Sequence, residues 1–292
     1  MIVYSPKKLE TYYRLKGYFL KQSPPPNKEP TSILLSNQGS LGDVFLTTCL
    51  IPSLKEKYPK AKIGLLIDPA ASVAADNCPG VDEIYKCASW FCHLDNKWKK
   101  LGKRALFKRP KLDYDWVIQT DPYYRGMGSS LKHIPKRTCF STTADKIYFN
   151  DVIPFTSTYL AQLLQLIAPL KCPWPASTKS QDYVLFHLGP SSPDRELPVA
   201  FWQDLYDSYQ SQGQKVLFSG SSEREREMIE QIAPFTPTTF AEFVQKIAGA
   251  DHIVTVDTVT VHIAHILKKN TYAFFRKPTE LWVPPAGENL IW

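Results

Sequence analysis

The sequence predicts an α/β protein made of two doubly wound, Rossmann-like domains that face each other across a cleft. Two observations predict this fold class. A strand–helix–strand order in residues 32–67 requires a parallel, right-handed crossover, and the same alternation begins again at residue 183. Between them, three prolines within residues 169–175 mark a change in composition. The expected organisation is an N-terminal arm, a first domain and a second domain: 1–30, 31–172 and 173–292.

The elements of the first domain follow from apolar runs and turn residues. Residues 32–36 form a short apolar run that is typical of a buried strand, and Gly39 and Gly42 then turn the chain. A helical stripe of apolar residues follows, with a kink expected at Pro52 because proline lacks the N–H of an interior helical residue. The predicted elements are a helix over 44–58 and strands over 62–67, 81–85 and 115–119.

The second domain repeats this alternation. A helix is predicted to open at Pro198 and to close at Gly213, and Ser222 with Glu225 has the spacing of a capping box. The strands predicted here are 183–188, 215–219, 252–256 and 271–275, and the further helices begin near Ser222, Phe240 and Thr258.

Composition excludes several classes of protein. The chain has 292 residues with 43% hydrophobic and 13% aromatic residues, which is too apolar for a disordered protein. It has no run of about 18 apolar residues that would span a bilayer. The first 22 residues lack the features of a secretory signal, and the six cysteines follow no disulfide or zinc pattern. We therefore expect a reduced, cytoplasmic protein without a bound metal.

Charge is distributed unevenly along the chain. Residues 1–178 carry 25 Lys and Arg against 14 Asp and Glu, whereas residues 179–292 carry 10 against 14. The densest basic run, residues 97–111, has eight positive residues and no acid. This asymmetry predicts an acidic partner for the first half, either a nucleic acid, an anionic lipid headgroup or an acidic sugar.

The turn at residues 39–43 is the first candidate site. Gly39 and Gly42 have no side chain and would let a ligand approach the backbone. The helix that follows offers unsatisfied N–H groups at its N-terminus. The spacing matches neither a dinucleotide fingerprint nor a phosphate-binding P-loop. An acid here favours contact with a hydroxyl or a proton over phosphate, so Asp43 is a candidate catalytic residue. The alternative is that Asp43 simply caps the helix.

The second candidate site follows the strands of the second domain. Ser191, Ser192 and Arg195 lie in a loop after a strand, and such hydroxyls and a guanidinium suit a diphosphate, although an ordinary Pro/Ser turn remains an alternative. Glu223 suits a ribose hydroxyl or the first turn of a helix equally well.

A third group of polar residues lies around the last predicted helix. Asp257 ends a strand, Thr258 begins the helix, and His262 lies four residues further on the same helical face. The alternative for His262 is a structural histidine packed between helix and sheet.

Taken in order, these stretches resemble glycosyltransferase family 9, the lipopolysaccharide heptosyltransferases. Residues 39–55 are similar to the family's Gly-Asp-x-x-x-Thr-x-Pro-x-x-x-x-Leu-Lys signature, including Pro52. Residues 194–202 resemble its Lys-x-Trp-Pro-x-x-x-Trp segment, and residues 250–264 resemble its Ala-Asp-x-x-Val-x-x-Asp-Ser/Thr-Gly-x-x-His-x-Ala block. The resemblance covers about residues 32–290.

This resemblance implies a GT-B fold and an inverting, metal-independent transfer from a nucleotide-sugar, ADP-heptose in the best-known members, to the acidic core of lipopolysaccharide. It implies no cofactor other than that co-substrate. Asp43 matches the family's proposed general base. The implied donor-binding residues are Ser191, Ser192, Arg195, Glu223, Asp257 and His262. We also expect Thr258 to bind the donor, because the N-terminus of its helix favours an anion. For the acceptor, or for an anionic membrane surface at the cytoplasmic face, we expect Gly42, Lys99, Lys100, Lys103 and Arg104.

The chain departs from the family pattern at several positions. Arg195 replaces a lysine, Leu197 a tryptophan and Val259 a glycine. Val259 leaves open a degenerate, non-catalytic sugar-nucleotide-binding protein as the alternative function. A GT-B epimerase is another enzyme option, although it would not need a basic acceptor half. No nucleic-acid-binding motif is present, so nucleic acid is not an expected partner.

Overall fold

The computed structural model describes most of the chain as two compact units, Met1–Pro169 and Leu170–Trp292. The described residues are 23–87, 112–122, 128–143, 146–177, 179–189, 195–220, 222–276, 283–285 and 290–291. The predicted N-terminal arm up to residue 22 and the basic run at 97–111 lie outside these ranges.

The N-terminal unit is a parallel sheet whose strands are joined largely by helices. Its first strand carries the apolar run Ile33, Leu34 and Leu35, all fully buried, as expected for a central parallel strand. The strands are β1 Ser32–Asn37, β2 Lys62–Ile67, β3 Glu83–Lys86, β4 Trp116–Gln119, β5 Lys136–Phe140 and β6 Asp151–Ile153. The helices are α1 Leu41–Thr48, α2 Ile51–Lys57, α3 Gly128–Leu131 and α4 Leu160–Leu164, with short 3-10 turns at Pro69–Ala74 and Lys146–Tyr148.

The strand order of this sheet is β3-β2-β1-β4-β5-β6, with every neighbour parallel. The chain first winds to one side of β1 and then crosses to the other side at β4. Ligands of doubly wound sheets bind at such a reversal, beyond the carboxyl ends of the two strands. In this unit that position lies after Asn37 and Gln119.

The C-terminal unit has a second, five-stranded parallel sheet. Its strands are β7 Val184–His187, β8 Val216–Ser219, β9 His252–Val256, β10 Asn270–Phe274 and β11 Leu290–Ile291. Its helices are α5 Val199–Ser211, α6 Glu223–Glu230, α7 Phe240–Gly249 and α8 Val259–Ile266. The strand order β11-β10-β9-β7-β8 reverses between β7 and β9.

Aromatic residues form much of the core of this unit. Trp202 of α5 is fully buried, and its ring lies 5.9 Å from that of Phe186 in β7. Phe218 of β8 packs edge-on against Phe186. Leu197, which stands at a tryptophan position of the family pattern, packs against the same cluster. A large buried aromatic core therefore anchors β7, whose carboxyl end leads into the predicted donor loop.

The predicted single helix over 44–58 is two helices in the structure. Helix α1 starts three residues earlier, at Leu41, and ends at Thr48. Pro52 is the second residue of α2, where its missing N–H costs no intrahelical hydrogen bond. Proline here therefore starts a new helix and does not kink a continuing one.

No helix among the described residues combines the length and the apolar character that a membrane span requires.

Candidate functional site

The turn after β1 places Asp43 in the first turn of α1. Ser40 is the N-cap residue, and both its N–H and its hydroxyl donate hydrogen bonds to Oδ2 of Asp43, each at 2.8 Å. The capping role considered as an alternative for Asp43 is thus present, although the helix begins before Asp43 and not after it. Among the described residues, Oδ1 of Asp43 accepts no hydrogen bond. The half-buried carboxylate can therefore cap the helix through one oxygen and receive a ligand's proton through the other.

Glycine at position 39 is required by the closeness of this carboxylate. A Cβ atom on Gly39 would lie 2.4 Å from Oδ2 of Asp43 and 2.7 Å from Oδ1 of Asn37. Gly42, the other glycine of the motif, is buried in the first turn of α1. The two glycines therefore let the main chain pack tightly around Asp43.

Three polar residues that the sequence did not single out lie at this edge of the sheet. Asn37 ends β1, and Thr120 and Asp121 directly follow β4. All three are at least 97% buried. The signal available in the sequence was their position at the ends of apolar strands, but only the strand order shows that β1 and β4 are neighbours.

Tyr159 is a further residue of this region that sequence reasoning missed. It is buried at the start of α4, and burial raises the pKa of its phenol, with a smaller contribution from the nearby Cys49 and Asp43. Tyr159 consequently stays a neutral phenol at physiological pH close to the Asp43 carboxylate.

In the C-terminal unit the structure brings together two of the predicted donor-binding residues. A guanidinium nitrogen of Arg195 lies 2.8 Å from Oδ2 of Asp257. Asp257 follows β9, one of the two strands at the reversal of the sheet. Burial raises the pKa of Asp257, and the positive charge of Arg195 offsets part of that rise. The pair leaves other N–H groups of the guanidinium available, because arginine has five.

Thr258 and His262 belong to the helix that starts beside this ion pair. Thr258 is the N-cap residue of α8, and His262 is half-buried on the second turn. Val259 stands where the family has glycine. It is the first residue of α8, and 8% of it is exposed. The N-terminus of α8 therefore lies next to Arg195 and Asp257, where a helix dipole favours an anion.

The remaining predicted residues are less informative. Glu223 is exposed on the first turn of α6, which agrees with its alternative interpretation as a residue favoured at a helix start. Ser191 and Ser192 lie outside the described residues, as do the predicted acceptor residues Lys99, Lys100, Lys103 and Arg104.

Glu225, predicted only as part of a capping box, lies against Gly189 at the start of the donor loop. It is 8% exposed, and its Oε2 accepts a hydrogen bond from the Ser222 N–H at 2.7 Å, which confirms the capping box. A Cβ on Gly189 would lie within 1.4 Å of its Oε1. The carboxylate therefore lies directly against the main chain at the start of the donor loop.

A buried histidine lies beneath the same loop. His187 ends β7, and its Nε2 is 3.8 Å from Oε1 of Glu225. Its Nδ1 lies 3.0 Å from the Ser219 carbonyl oxygen, which accepts a hydrogen bond when Nδ1 is protonated. Burial lowers the pKa of His187, although Glu225 acts in the opposite direction. At neutral pH the imidazole is therefore uncharged.

Within the described ranges, no three His, Cys, Asp or Glu residues are grouped so that they could hold a metal ion. The metal-independent reaction stays a prediction.

One protein-family model is similar to the C-terminal part of the chain. Residues 157–292 match the model of glycosyltransferase family 9 (heptosyltransferase). No curated protein sequence matches the chain significantly.

Solved heptosyltransferase structures have the same fold as this chain. The Escherichia coli heptosyltransferase WaaC, solved with ADP-2-deoxy-2-fluoro heptose, is 16% identical over 89% of this chain and 92% of its own, with a TM-score of 0.62. The E. coli ADP-heptose lipopolysaccharide heptosyltransferase II is 19% identical over 89% of each chain, with a TM-score of 0.59. A family 9 glycosyltransferase from Veillonella parvula is 17% identical over 92% of this chain and 87% of its own, with a TM-score of 0.62.

The comparisons agree with the sequence-based resemblance to different extents. The family model matches the C-terminal part of the chain, and the structural matches confirm the predicted GT-B fold.

Proposed function

Since residues 157–292 carry a family 9 glycosyltransferase domain on a chain with the GT-B fold, we propose that this protein transfers a heptose or a similar sugar from an ADP-linked donor. The proposed acceptor is the acidic core of lipopolysaccharide or another anionic glycan. The transfer inverts the anomeric centre and uses no metal. The bound analogue in WaaC, an ADP-linked heptose, supports the choice of donor nucleotide.

One observation carries the donor half of this proposal. The Arg195–Asp257 ion pair lies at the reversal between β7 and β9, beside the N-terminus of α8. A diphosphate at this point would meet a guanidinium and the positive end of a helix dipole. Both stabilise the negative charge that the departing nucleoside diphosphate gathers in the transition state, which is the task that a metal performs in other transferases.

Asp43 supplies the base in the proposed reaction. Its Oδ1 accepts the proton of the acceptor hydroxyl as that oxygen forms a bond to the anomeric carbon. The bond from the same carbon to the diphosphate breaks, and the nucleoside diphosphate leaves with the bonding electrons. Because Ser40 holds Oδ2 through two hydrogen bonds, the carboxylate presents Oδ1 in a fixed direction.

Further donor contacts are proposed from the positions of the residues at the ends of strands and the starts of helices. Ser191, Ser192, Thr258 and His262 are proposed to contact the donor. For the ribose, Glu223 and the better-buried Glu225 are two candidates that glutamine substitutions can separate.

The part of the proposal that concerns the acceptor rests on the distribution of charge along the chain. Residues 1–178 carry the basic excess, and Lys99, Lys100, Lys103 and Arg104 are proposed, with Gly42, to hold the phosphate or carboxylate groups of the acceptor. The same charges suit an enzyme that works in the cytoplasm and binds peripherally to the anionic inner face of the membrane.

The donor is tested by a thermal-shift screen of ADP-, UDP- and GDP-sugars on the full chain. We expect stabilisation by the ADP-sugar, and its loss in Arg195→Gln. Arg226→Gln is the matched control, because Arg226 pairs with Glu230 on the exposed side of α6. Equal losses in the two variants would contradict the donor site.

Catalysis is tested with Asp43→Ala, which should lower the transfer rate by about 100-fold or more, the usual contribution of a general base. Glu242→Ala is the matched control, since Glu242 occupies the corresponding capping position of α7. A mutant Asp43→Ala that transfers sugar at the wild-type rate would remove Asp43 from the mechanism.

The second candidate function is a non-catalytic protein that binds a sugar nucleotide. Val259 favours it, because a buried valine occupies the family's glycine position at the proposed donor site. Stabilisation by a nucleotide-sugar without turnover on any anionic glycan would support this alternative against the transferase.

A further inference from the structure

The side chain of Asn37 forms the centre of a buried hydrogen-bond network beneath the turn that carries Asp43. It is fully buried at the end of β1. Its Oδ1 accepts a hydrogen bond from the Gly39 N–H at 2.7 Å. Its Nδ2 donates to the hydroxyls of Thr47 and Thr120, at 2.9 Å and 3.1 Å, and lies 3.4 Å from the Asp43 carbonyl oxygen. A single carboxamide thus joins the turn, the helix α1 and the strand β4.

The two threonines complete the network. The hydroxyl of Thr47 donates to the Asp43 carbonyl at 2.9 Å, and the hydroxyls of Thr47 and Thr120 are 2.8 Å apart. Thr120 is also within hydrogen-bond distance of the Ser36 carbonyl, at 3.1 Å. Buried bonds of this kind hold a single geometry, because breaking one leaves a polar group without water.

The network fixes the main chain on both sides of the catalytic turn. At the start of the turn, Asn37 accepts a hydrogen bond from the Gly39 N–H. At its end, the side chains of Asn37 and Thr47 contact the Asp43 carbonyl oxygen. Only the carboxamide of asparagine or glutamine supplies an acceptor and two donors from one neutral side chain. Aspartate has almost the same shape but no donor, so it could accept from Gly39 but could not donate to the threonines.

We infer that Asn37 is a positioning residue for the Asp43 carboxylate. Through Gly39, Thr47 and the Asp43 carbonyl it sets where Oδ1 of Asp43 lies when the acceptor hydroxyl arrives. The inference rests on the proposed function, since it takes Asp43 as the base of the transfer.

The test uses Asn37→Asp and Thr47→Val in the full chain. The first removes the donors and keeps the shape, and the second removes the hydroxyl that contacts the Asp43 carbonyl without adding charge. Thr48→Val is the matched control, because Thr48 carries a buried hydroxyl on the same helix whose one hydrogen bond among the described residues goes to the Phe45 carbonyl.

In steady-state assays we expect both network variants to lower kcat by about tenfold to 100-fold, the cost of misplacing a catalytic group by about 1 Å. The KM for the nucleotide-sugar should stay within about twofold, because a positioning role for the base leaves donor binding unchanged. Thr48→Val should keep the wild-type kcat whatever its melting temperature. A wild-type kcat in both network variants, or a fall of equal size in Thr48→Val, would overturn the inference.

A second readout separates this inference from the proposed function. The 13C-carboxyl NMR signal of Asp43, assigned by its loss in Asp43→Asn, should move in both network variants and stay in place in Thr48→Val. If the wild-type protein transfers no sugar from any donor, the proposed function fails, and this signal still decides whether Asn37 positions Asp43. An unmoved signal in folded network variants would reject the positioning role even where transfer is observed.

Discussion

At the scale of single residues, Gly39 and Gly213 are required for different reasons. Replacing each with alanine should therefore have different consequences. Gly39→Ala should lower the transfer rate by about tenfold or more, because the new Cβ would collide with the Asp43 carboxylate and displace it. Gly213, just after α5, has a φ of 74° and no atom within 4 Å of the position of a Cβ. Gly213→Ala should therefore lower the free energy of unfolding by about 1 kcal/mol and leave the rate unchanged.

Transfer assays and chemical denaturation of both variants measure these effects. A Gly39→Ala protein with wild-type activity would show that the turn can move aside, and the tight packing around Asp43 would then have no catalytic importance.

The sequence could reveal a site residue more easily when its partner lies close to it along the chain. Asp43 and Ser40 are three residues apart, so capping could be considered from spacing alone. Arg195 and Asp257 are 62 residues apart, and the family resemblance rather than their spacing predicted that both bind the donor. Asn37 has a partner 83 residues away, Thr120, and no motif marks it. Its role follows only from the adjacency of β1 and β4.

At the scale of elements, local chemistry predicted the start of α6 but not that of α1, whose N-cap residue is Ser40 and not Asp43. The box of Ser222 and Glu225 starts α6 as expected. The strand β5 was missed because it begins with Lys136 and Arg137, and the guanidinium of Arg137 is buried against the carbonyl of Tyr148. A search for apolar residues cannot recognise a strand that contains an arginine whose side chain is buried through hydrogen bonds to main-chain carbonyls.

The edge strand β3 leads to a prediction for acid stability. Glu83 accepts hydrogen bonds from Lys62 at 2.5 Å, from Tyr85 and from Tyr114 at 3.0 Å. The Lys62 ammonium is the main cause, followed by the Tyr85 hydroxyl, of a pKa for Glu83 of about 2, below its ordinary 4.5. A lowered carboxyl pKa stabilises the fold above pH 4.5, and this stabilisation is lost as the pH falls toward 2.

We therefore expect Glu83→Gln to be less stable than the wild type at pH 7 and to lose less stability between pH 4.5 and 2. Acid unfolding followed by circular dichroism measures the difference. Glu227→Gln, which removes an exposed carboxylate from α6, is the control and should keep the wild-type pH dependence. Parallel acid transitions for Glu83→Gln and the wild type would contradict the network.

At the scale of the whole molecule, the alternation of strands and helices predicted two doubly wound sheets, but not their strand orders. The two sheets reverse at different places, between β1 and β4 in one unit and between β7 and β9 in the other. These reversals depend on tertiary structure, because no local sequence pattern predicts on which side of a strand the next strand will pair. They nevertheless decide which of the many polar strand ends can form a site.

The stability of the C-terminal unit should depend on pH in mild acid. In the C-terminal unit, burial lowers the pKa values of His187, His252 and His265 below their ordinary 6.5. The unfolded chain then binds protons that the folded unit excludes. The stability of this unit is therefore fully present above about pH 6.5 and falls as the pH drops below it. For the fully buried His187 the loss is at most about 1.4 kcal/mol per pH unit.

Calorimetry between pH 7.5 and 5 should show the transition of the C-terminal unit moving to lower temperature as the pH falls. His187→Gln removes one of these three contributions, so its transition should depend less on pH than that of the wild type. His133→Gln is the control, because His133 belongs to the N-terminal unit and its loss should not change the transition of the C-terminal unit. If His187→Gln kept the wild-type slope, the excluded proton would have to belong to another group, and the neutral state assigned to His187 beneath the donor loop would be wrong.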